Sequence, residues 1–242
     1  MKNKTTNFLK RLKKIIPSHI KPKFKKDKDL LSWNQEQGLI SSKDILKKNK
    51  IMKIKKTFKK SGIKELYIKC TFKNYKIEHK GHERVLKAAK KYAKNFNSNV
   101  SSFIFSGKPG TGKNHLASAI GNYLILKGKS VLIVTVADLM SNMKGTFNGS
   151  SHTTEENLLN ELSTVDLLMI DEIGMQTESR YEKVVINQIV DRRSSSKRST
   201  GMLSNLNHEG MKILLGERVI DRMRLGNSLW LNFEWNSYRK HI

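Results

Sequence analysis

The stretch that decides the fold is Ser106–Asn114, SGKPGTGKN, in which two glycines and a lysine have the spacing G-x-x-x-x-G-K. The apolar run Ser102–Phe105 before it predicts a buried strand, and the pattern after it, with Leu116 and Ile120, predicts a helix. The glycines let backbone N–H groups turn towards an anion, and the helix N-terminus adds positive potential. This strand–loop–helix context predicts a site for ATP or ADP. Its predicted binding residues are Gly107, Lys108, Pro109, Gly110, Thr111, Gly112, Lys113 and Asn114.

Two positions of this loop bear directly on the chemistry. Lys113 is predicted to place its ammonium group against the outer phosphates of the nucleotide. The next position usually has a hydroxyl that ligates Mg²⁺, but here it is Asn114. An amide oxygen is a hard, neutral ligand, so we expect Asn114 to reach magnesium and hydrolysis to be slow.

An acidic pair follows a second apolar strand. The run Val165–Ile170 predicts a strand that ends at Asp171 and Glu172. A carboxylate at a strand end beside a phosphate loop can hold magnesium, and we assign this role to Asp171. Glu172 is then placed to polarise the attacking water as a general base.

Two further residues are candidates for the reaction. The strand predicted at 200–204 ends at Asn205, which we expect to lie between the two motif strands and to hold the attacking water. A simple strand-ending turn is the alternative for this residue. Arg222 lies in an arginine-dense helical segment and is a candidate arginine finger for a neighbouring subunit. Pairing with Glu217 or Asp221 is the alternative for this arginine.

The net charge of +26 is unevenly distributed over the 242 residues. Residues 1–80 hold 25 Lys and Arg against 6 Asp and Glu, a net charge of +19, and residues 81–242 have a net charge of +7. This excess favours an anionic partner, most simply nucleic acid. The alternative is that lysine is abundant because the genome is poor in G and C.

Candidate residues for single-stranded DNA lie at two places after the phosphate loop. A basic residue beside an aromatic one suits base stacking and neutralisation of the backbone. For Phe147 the alternative is an ordinary core role, which is the more common outcome for a phenylalanine. The candidates are Lys144, Phe147, Ser179 and Tyr181.

The chain divides by composition into a basic helical region at 1–61, a connector at 62–81 and an ATPase domain at 82–242. In the ATPase domain strands alternate with helices, which predicts an α/β fold whose parallel sheet is covered on both faces. The single cysteine excludes a disulfide framework, and no signal peptide or membrane span is recognised. We therefore expect a cytoplasmic protein with no membrane partner.

The N-terminal region is predicted to form three amphipathic helices with narrow apolar stripes. Leu12, Leu31 and Trp33 belong to these stripes and are candidates for docking onto a partner protein. Packing of the three helices against each other is the alternative.

Several segments together resemble a known family. They are the loop with its unusual Asn114, the run LLMIDEIG at 167–174, YEKVVINQIVDRR at 181–193 and GERVIDRMRLGNSLW at 216–230. IIP at 15–17 and KPKF at 21–24 extend the likeness to the N-terminal region. The chain resembles the bacterial replicative helicase loaders of the DnaC/DnaI type, which are AAA+ ATPases.

The resemblance implies an AAA+ domain with a five-stranded parallel sheet and an N-terminal region that grips the hexameric helicase DnaB. The ATPase domains are expected to self-associate in a spiral that helps open the helicase ring onto single-stranded DNA. Asn205 matches the first sensor residue of the family and Arg222 its finger. Tyr75 lies where such proteins wall the adenine, with a core role as the alternative. Only 18 residues follow Arg224, so we expect the helical lid to be truncated and the base to be more exposed.

The sequence therefore predicts a weak, magnesium-dependent ATPase that loads the replicative helicase onto single-stranded DNA at the initiation of chromosome replication. One alternative is an accessory ATPase of DNA transposition, which shares the core and also binds DNA. Another is a nucleotide-gated DNA-binding adaptor with negligible hydrolysis.

Overall fold

The structure is a computed structural model that describes residues 61–96, 100–147, 154–175 and 179–238. The three helices predicted at the N-terminus, with Leu12, Leu31 and Trp33, lie outside these residues. In the described part of the chain, no helix has both the length and the apolar character needed to cross a membrane.

The described helices and strands alternate along most of the chain, as predicted. In chain order they are α1 (Glu65–Ile68), α2 (Lys80–Lys94), β1 (Phe103–Gly107), α3 (Lys113–Leu126), β2 (Val131–Thr135), α4 (Val136–Phe147), α5 (Glu155–Thr164), β3 (Leu167–Ile173), α6 (Arg180–Ser195), β4 (Ser199–Ser204), α7 (His208–Met223) and β5 (Leu229–Phe233).

Five described strands form one sheet in the order β2-β3-β4-β1-β5, with all neighbours parallel. Successive side chains of a strand point to opposite faces, and this alternation feeds two core layers. Phe103 and Phe105 of β1 pack with residues of α2 and α3, whereas Ile104 between them packs in the layer that contains residues of α4 to α7. The predicted parallel sheet with helices on both faces is confirmed.

The last helical element agrees with the sequence-based prediction. Separate helices were predicted at 207–214 and 217–224, and α7 consists of two helical segments joined at a kink. Gly216 lies at the junction with φ 77° and ψ 160°, which is not a helical conformation. Glycine tolerates this positive φ, so the chain can bend here between the two helical segments.

The predicted connector is fastened to the ATPase core. The backbone N–H of Ile133 donates to the carbonyl of Ser61 at 2.7 Å, beside β2. On α3, the buried amide of Asn122 donates to three carbonyls of the segment around α1, at 2.8 to 3.1 Å. These acceptors are Tyr67, Ile68 and Cys70. The segment from residue 61 to residue 70 is therefore attached to the core through several of its own main-chain carbonyl groups.

A fully buried arginine joins the amino ends of two central strands. The guanidinium of Arg193 donates to the carbonyl oxygens of Leu162, at 2.6 Å, and Asp166, at 3.4 Å. It also donates to the carbonyl of Ser199 and to the hydroxyl of Thr200 at the start of β4. Leu162, Ser199 and Thr200 are buried, so Arg193 provides hydrogen-bond donors to polar groups inside the protein.

Replacing Arg193 by methionine keeps the length of the side chain but removes all of its donors. We expect the free energy of unfolding to fall by about 3 kcal/mol, because buried carbonyls then have no partner. Urea denaturation followed by circular dichroism measures this change. The matched control is Arg192→Met, which removes an ion pair with the exposed Glu156 and a 3.4 Å hydrogen bond to Asn160, and should cost less than about 1 kcal/mol. Equal losses in the two variants would contradict the structural role of Arg193.

Candidate nucleotide-binding site

The predicted phosphate loop lies between the end of β1 and the start of α3, at the carboxyl edge of the sheet. Gly110 and Gly112 both have positive φ angles, 73° and 94°. A Cβ atom on Gly112 would lie 2.9 Å from the ring of Tyr75, and one on Gly110 would clash with the hydroxyl of Ser237. Glycine is therefore required at both positions by the backbone angle and by close neighbours.

Lys113, the first residue of α3, is buried beneath the loop. Its ammonium group donates to the carbonyl oxygens of Gly107 and Lys108, both at 2.7 Å. Burial lowers the pKa of Lys113 to about 8, although the charge of Asp171 acts in the opposite direction. The charge is thus costly where it lies, and a nearby anion would stabilise it.

The two predicted magnesium ligands lie side by side. The side-chain amide of Asn114 donates to Asp171 Oδ2 at 2.6 Å, and Asp171 Oδ1 accepts from the backbone N–H of Glu172 at 2.8 Å. Burial raises the pKa of the Asp171 carboxyl, with the charge of Glu172 adding to the rise. A partly buried carboxylate beside an amide offers the hard oxygen ligands that Mg²⁺ prefers, so this pair fits the ion.

Glu172 and Asn205 approach the same cavity from neighbouring strands. Glu172 is exposed and has a φ of 62°, which is rare for a residue with a side chain and often marks a functional position. Asn205 follows β4, which pairs with both β1 and β3, so its predicted place between the two motif strands is confirmed. Its amide donates to the sulfur of Met175 at 3.5 Å.

The loop and these polar residues line one cavity of about 620 Å³. Its lining also includes residues of the connector and of the chain after β5. Tyr75, predicted to wall the adenine, is buried in the core and lines the cavity as well, so both of its predicted environments are present. Cys70 lines the cavity, whereas Phe72 packs near the ring of Tyr123.

Arg222 does not line this cavity in its own chain. Its guanidinium forms an ion pair with Asp191 on α6 at 2.6 Å, and Arg218 reaches the same carboxylate at 2.7 Å. The alternative considered from the sequence was pairing with Glu217 or Asp221, and the partner is instead a residue of the neighbouring helix. Asp191 was missed because nothing in the linear pattern brings α6 beside α7.

None of the described DNA candidates lines the nucleotide cavity. Lys144 is exposed, and the side chain of Phe147 lies outside the described part of the chain. The hydroxyl of Ser179 caps α6 by accepting from the N–H of Glu182 at 3.1 Å. Tyr181 packs against the core layer below α6, and burial raises its pKa.

Several cavity residues were not predicted. His115 Nε2 lies 3.1 Å from both the carbonyl of Thr71 and the Oδ1 of Asn74. Since both partners are acceptors, this nitrogen bears the proton and the helix after the loop is fastened to the connector. The cavity residues that sequence reasoning did not assign include Leu66, Tyr67, Asn74, Lys76, His82, His115 and Tyr238.

Comparison with known proteins identifies the family. The profile of a family described as IstB-like ATP binding protein matches residues 28–241. The replicative helicase loader DnaC of Buchnera aphidicola subsp. Schizaphis graminum is 75% identical over 235 residues, which cover 97% of this chain and 96% of that protein. The DnaC loader of Escherichia coli K12 is 60% identical over 242 residues, which cover 100% of this chain and 98% of the other.

The chain belongs to the DnaC family of replicative helicase loaders. A crystal structure of a DnaC helicase loader matches with a TM-score of 0.60 at 22% identity, over 70% of this chain and 99% of that one. At that identity the match shows the fold alone. The predicted resemblance to this family is confirmed, and the chain also matches a family of ATP-binding proteins.

The lowered pKa of Lys113 predicts a pH dependence of nucleotide affinity. Below pH 8 the lysine is protonated with or without phosphate, so the affinity for ATP should change little near pH 7.5 to 8. Above pH 8 the free protein must take up a proton to bind, because phosphate raises the pKa, and the affinity should fall by up to about tenfold per pH unit.

Isothermal titration calorimetry between pH 7.5 and 9.5 measures this slope. Lys108→Met is the matched control, because Lys108 is an exposed lysine of the same loop, and it should keep the slope. Lys113→Met should bind more weakly and with no slope. A wild-type affinity that stays level up to pH 9.5 would show that Lys113 does not titrate on binding.

Proposed function

We propose that this loader uses ATP to deliver a DnaB-type replicative helicase onto single-stranded DNA when chromosome replication begins in the cytoplasm. The region 1–61 is proposed to bind the helicase hexamer through Leu12, Leu31 and Trp33. The observation that most supports the proposal is a single cavity lined by the phosphate loop, Asp171, Glu172 and Asn205, in a chain 60% identical to a loader over its whole length.

In the proposed reaction, Lys113 exchanges its bonds to loop carbonyls for the outer phosphates of ATP. The exchange is favourable because the buried ammonium gains a full negative charge in place of neutral carbonyl oxygens. Asn114 and Asp171 would hold Mg²⁺, which neutralises charge that develops on the phosphates. Glu172 would accept a proton from the attacking water, and Asn205 would orient that water from the adjacent strand.

Arg222 is proposed to act on the nucleotide of a neighbouring copy of the chain. Two features support this role: Arg222 lies away from its own cavity, and its guanidinium remains partly exposed beside Asp191. A guanidinium supplied from outside completes the charge around a transferring phosphoryl group. Turnover would then depend on self-association of the ATPase domains, and an isolated subunit would hydrolyse ATP slowly.

For single-stranded DNA, Lys144 is the candidate with an exposed cationic side chain. Phe147, three residues later, is proposed to stack on a base. Ser179 and Tyr181, at the start of α6, are proposed to contact the DNA strand. In this structure the Ser179 hydroxyl caps α6 and the Tyr181 ring packs against the core layer below it. Contact with DNA there requires the Tyr181 ring to leave part of its packing.

Mixing two inactive variants tests the nucleotide site and the finger together. Lys113→Ala and Arg222→Ala should each abolish helicase loading onto a single-stranded DNA circle, and Arg224→Ala, an exposed arginine of the same segment, should not. A mixture of the two inactive proteins should recover part of the ATPase activity, because one supplies an intact cavity and the other an intact finger. Absence of any recovery would indicate that Arg222 acts within its own subunit.

The residue after Lys113 can be tested by changing its ligand group. Asn114→Thr supplies a shorter hydroxyl ligand, so we expect kcat for ATP to rise severalfold while the dissociation constant changes by less than about twofold. Asn114→Ala, which removes the oxygen, should lower kcat and serves as the matched comparison. A larger change in affinity than in turnover would contradict the metal role of Asn114.

Two experiments separate the alternatives considered from the sequence. Full-length protein should retain a DnaB-type helicase in a pull-down, whereas a transposition ATPase would retain a transposase instead. Glu172→Gln should bind ATP yet fail to complete loading. If this variant loads the ring normally, the chain is a nucleotide-gated adaptor that does not need hydrolysis.

A further inference from the structure

The chain after β5 crosses the phosphate loop. The backbone N–H of Lys108 donates to the carbonyl of Phe233 at 2.8 Å. The indole of Trp235 donates to the carbonyl of Thr111 at 3.1 Å. The backbone N–H of Tyr238 donates to the carbonyl of Gly110 at 2.9 Å. Residues 233–238, which we call the tail segment, are therefore bonded to three different residues of the loop.

The tail segment is also held from its other side. The ring of Trp235 meets the rings of His79 and His82 edge-on, at centroid distances of 5.1 and 4.7 Å, and the two imidazoles stack 4.0 Å apart. It also packs 5.1 Å from Phe233 of β5. Because these contacts involve only the protein, the tail segment is in place before any ligand binds.

At its end, the tail segment contributes a tyrosine to the nucleotide cavity. Tyr238 and Lys76 both line this cavity, and the ammonium of Lys76 donates to the phenol oxygen of Tyr238. That ammonium also lies 4.8 Å from the ring centroid, which is within the range of a cation–π contact. Lys76 therefore fixes the direction of the Tyr238 ring.

The position of this pair along the loop indicates which part of a nucleotide it meets. The carboxylate of Asp171 is bonded at Asn114, on the α3 side of the loop, whereas Tyr238 is bonded at Gly110 on the other side. With phosphates in the loop and the reacting end beside Asp171, the nucleoside extends towards the rest of the lining. That remaining part of the cavity includes Tyr75, Lys76, His82 and Tyr238.

We propose that Tyr238 and Lys76 form an outer wall for the nucleoside of bound ATP or ADP, with the Tyr238 ring packed against it. This inference rests on the proposed nucleotide site and adds the residues that recognise its base end. An aromatic ring held in position by a hydrogen bond loses little freedom when a base packs on it, so the contact favours binding.

The test compares a ligand that has the nucleoside with one that lacks it. Calorimetry on the full-length protein measures the affinities for ATP and for inorganic tripolyphosphate. Tyr238→Ala should weaken ATP binding by about tenfold, within the range of an aromatic contact together with its buried area, and leave tripolyphosphate within about twofold. Tyr238→Phe keeps the ring but loses the bond from Lys76, and its effect should be smaller.

Lys76→Met should weaken ATP binding about as much as Tyr238→Phe does. The matched control is Lys73→Met, which changes an exposed lysine of the connector and should leave the affinities for ATP and for tripolyphosphate unchanged. Thermal melting without ligand verifies that each variant is folded. Equal weakening of ATP and tripolyphosphate by Tyr238→Ala would mean that the tail segment only supports the loop. Unchanged ATP binding would also overturn the proposal. Wild-type protein that binds neither ligand would instead refute the nucleotide site itself.

Discussion

The site is organised around a buried ammonium group to which the described residues provide no anionic partner in direct contact. Lys113 donates to two carbonyls of the loop that it supports, and these bonds hold the loop in its curved form. Neutral carbonyls offset the cost of burying a charge only in part, which is why the pKa of this lysine is lowered. The loop is thus stable enough to form before phosphate binds, and its lysine still gains free energy from contact with phosphate.

The parts of the site that the sequence predicts well are those within one stretch of chain. The loop at Gly107–Lys113 and the pair Asp171–Glu172 are contiguous, and each directly follows an apolar strand. Asn205 required one more step, the inference that its strand lies between the other two, and the parallel α/β pattern was sufficient for it. The same pattern predicted the sheet and both helical layers.

Contacts between residues far apart in the chain could not be predicted from the sequence. The bond from Lys76 to Tyr238 spans 162 residues, and no periodicity or motif marks either end. The partner of Arg222 was sought among acidic neighbours on its own helix, but Asp191 lies on α6, because α6 packs against α7. By contrast, the kink at Gly216 was predictable, since the glycine separates the two helices predicted on either side of it.

The amide of Asn122 has a mechanical consequence. It donates to three main-chain carbonyls next to α1, while His115, two helical turns nearer the phosphate loop, contacts the following bend at Thr71 and Asn74. A force on the main chain at residue 61 is therefore transmitted to α3 with little rearrangement of the segment between them. The first residue of α3 is Lys113. A force at residue 61 and a nucleotide in the phosphate loop would therefore both act on the same helix, α3.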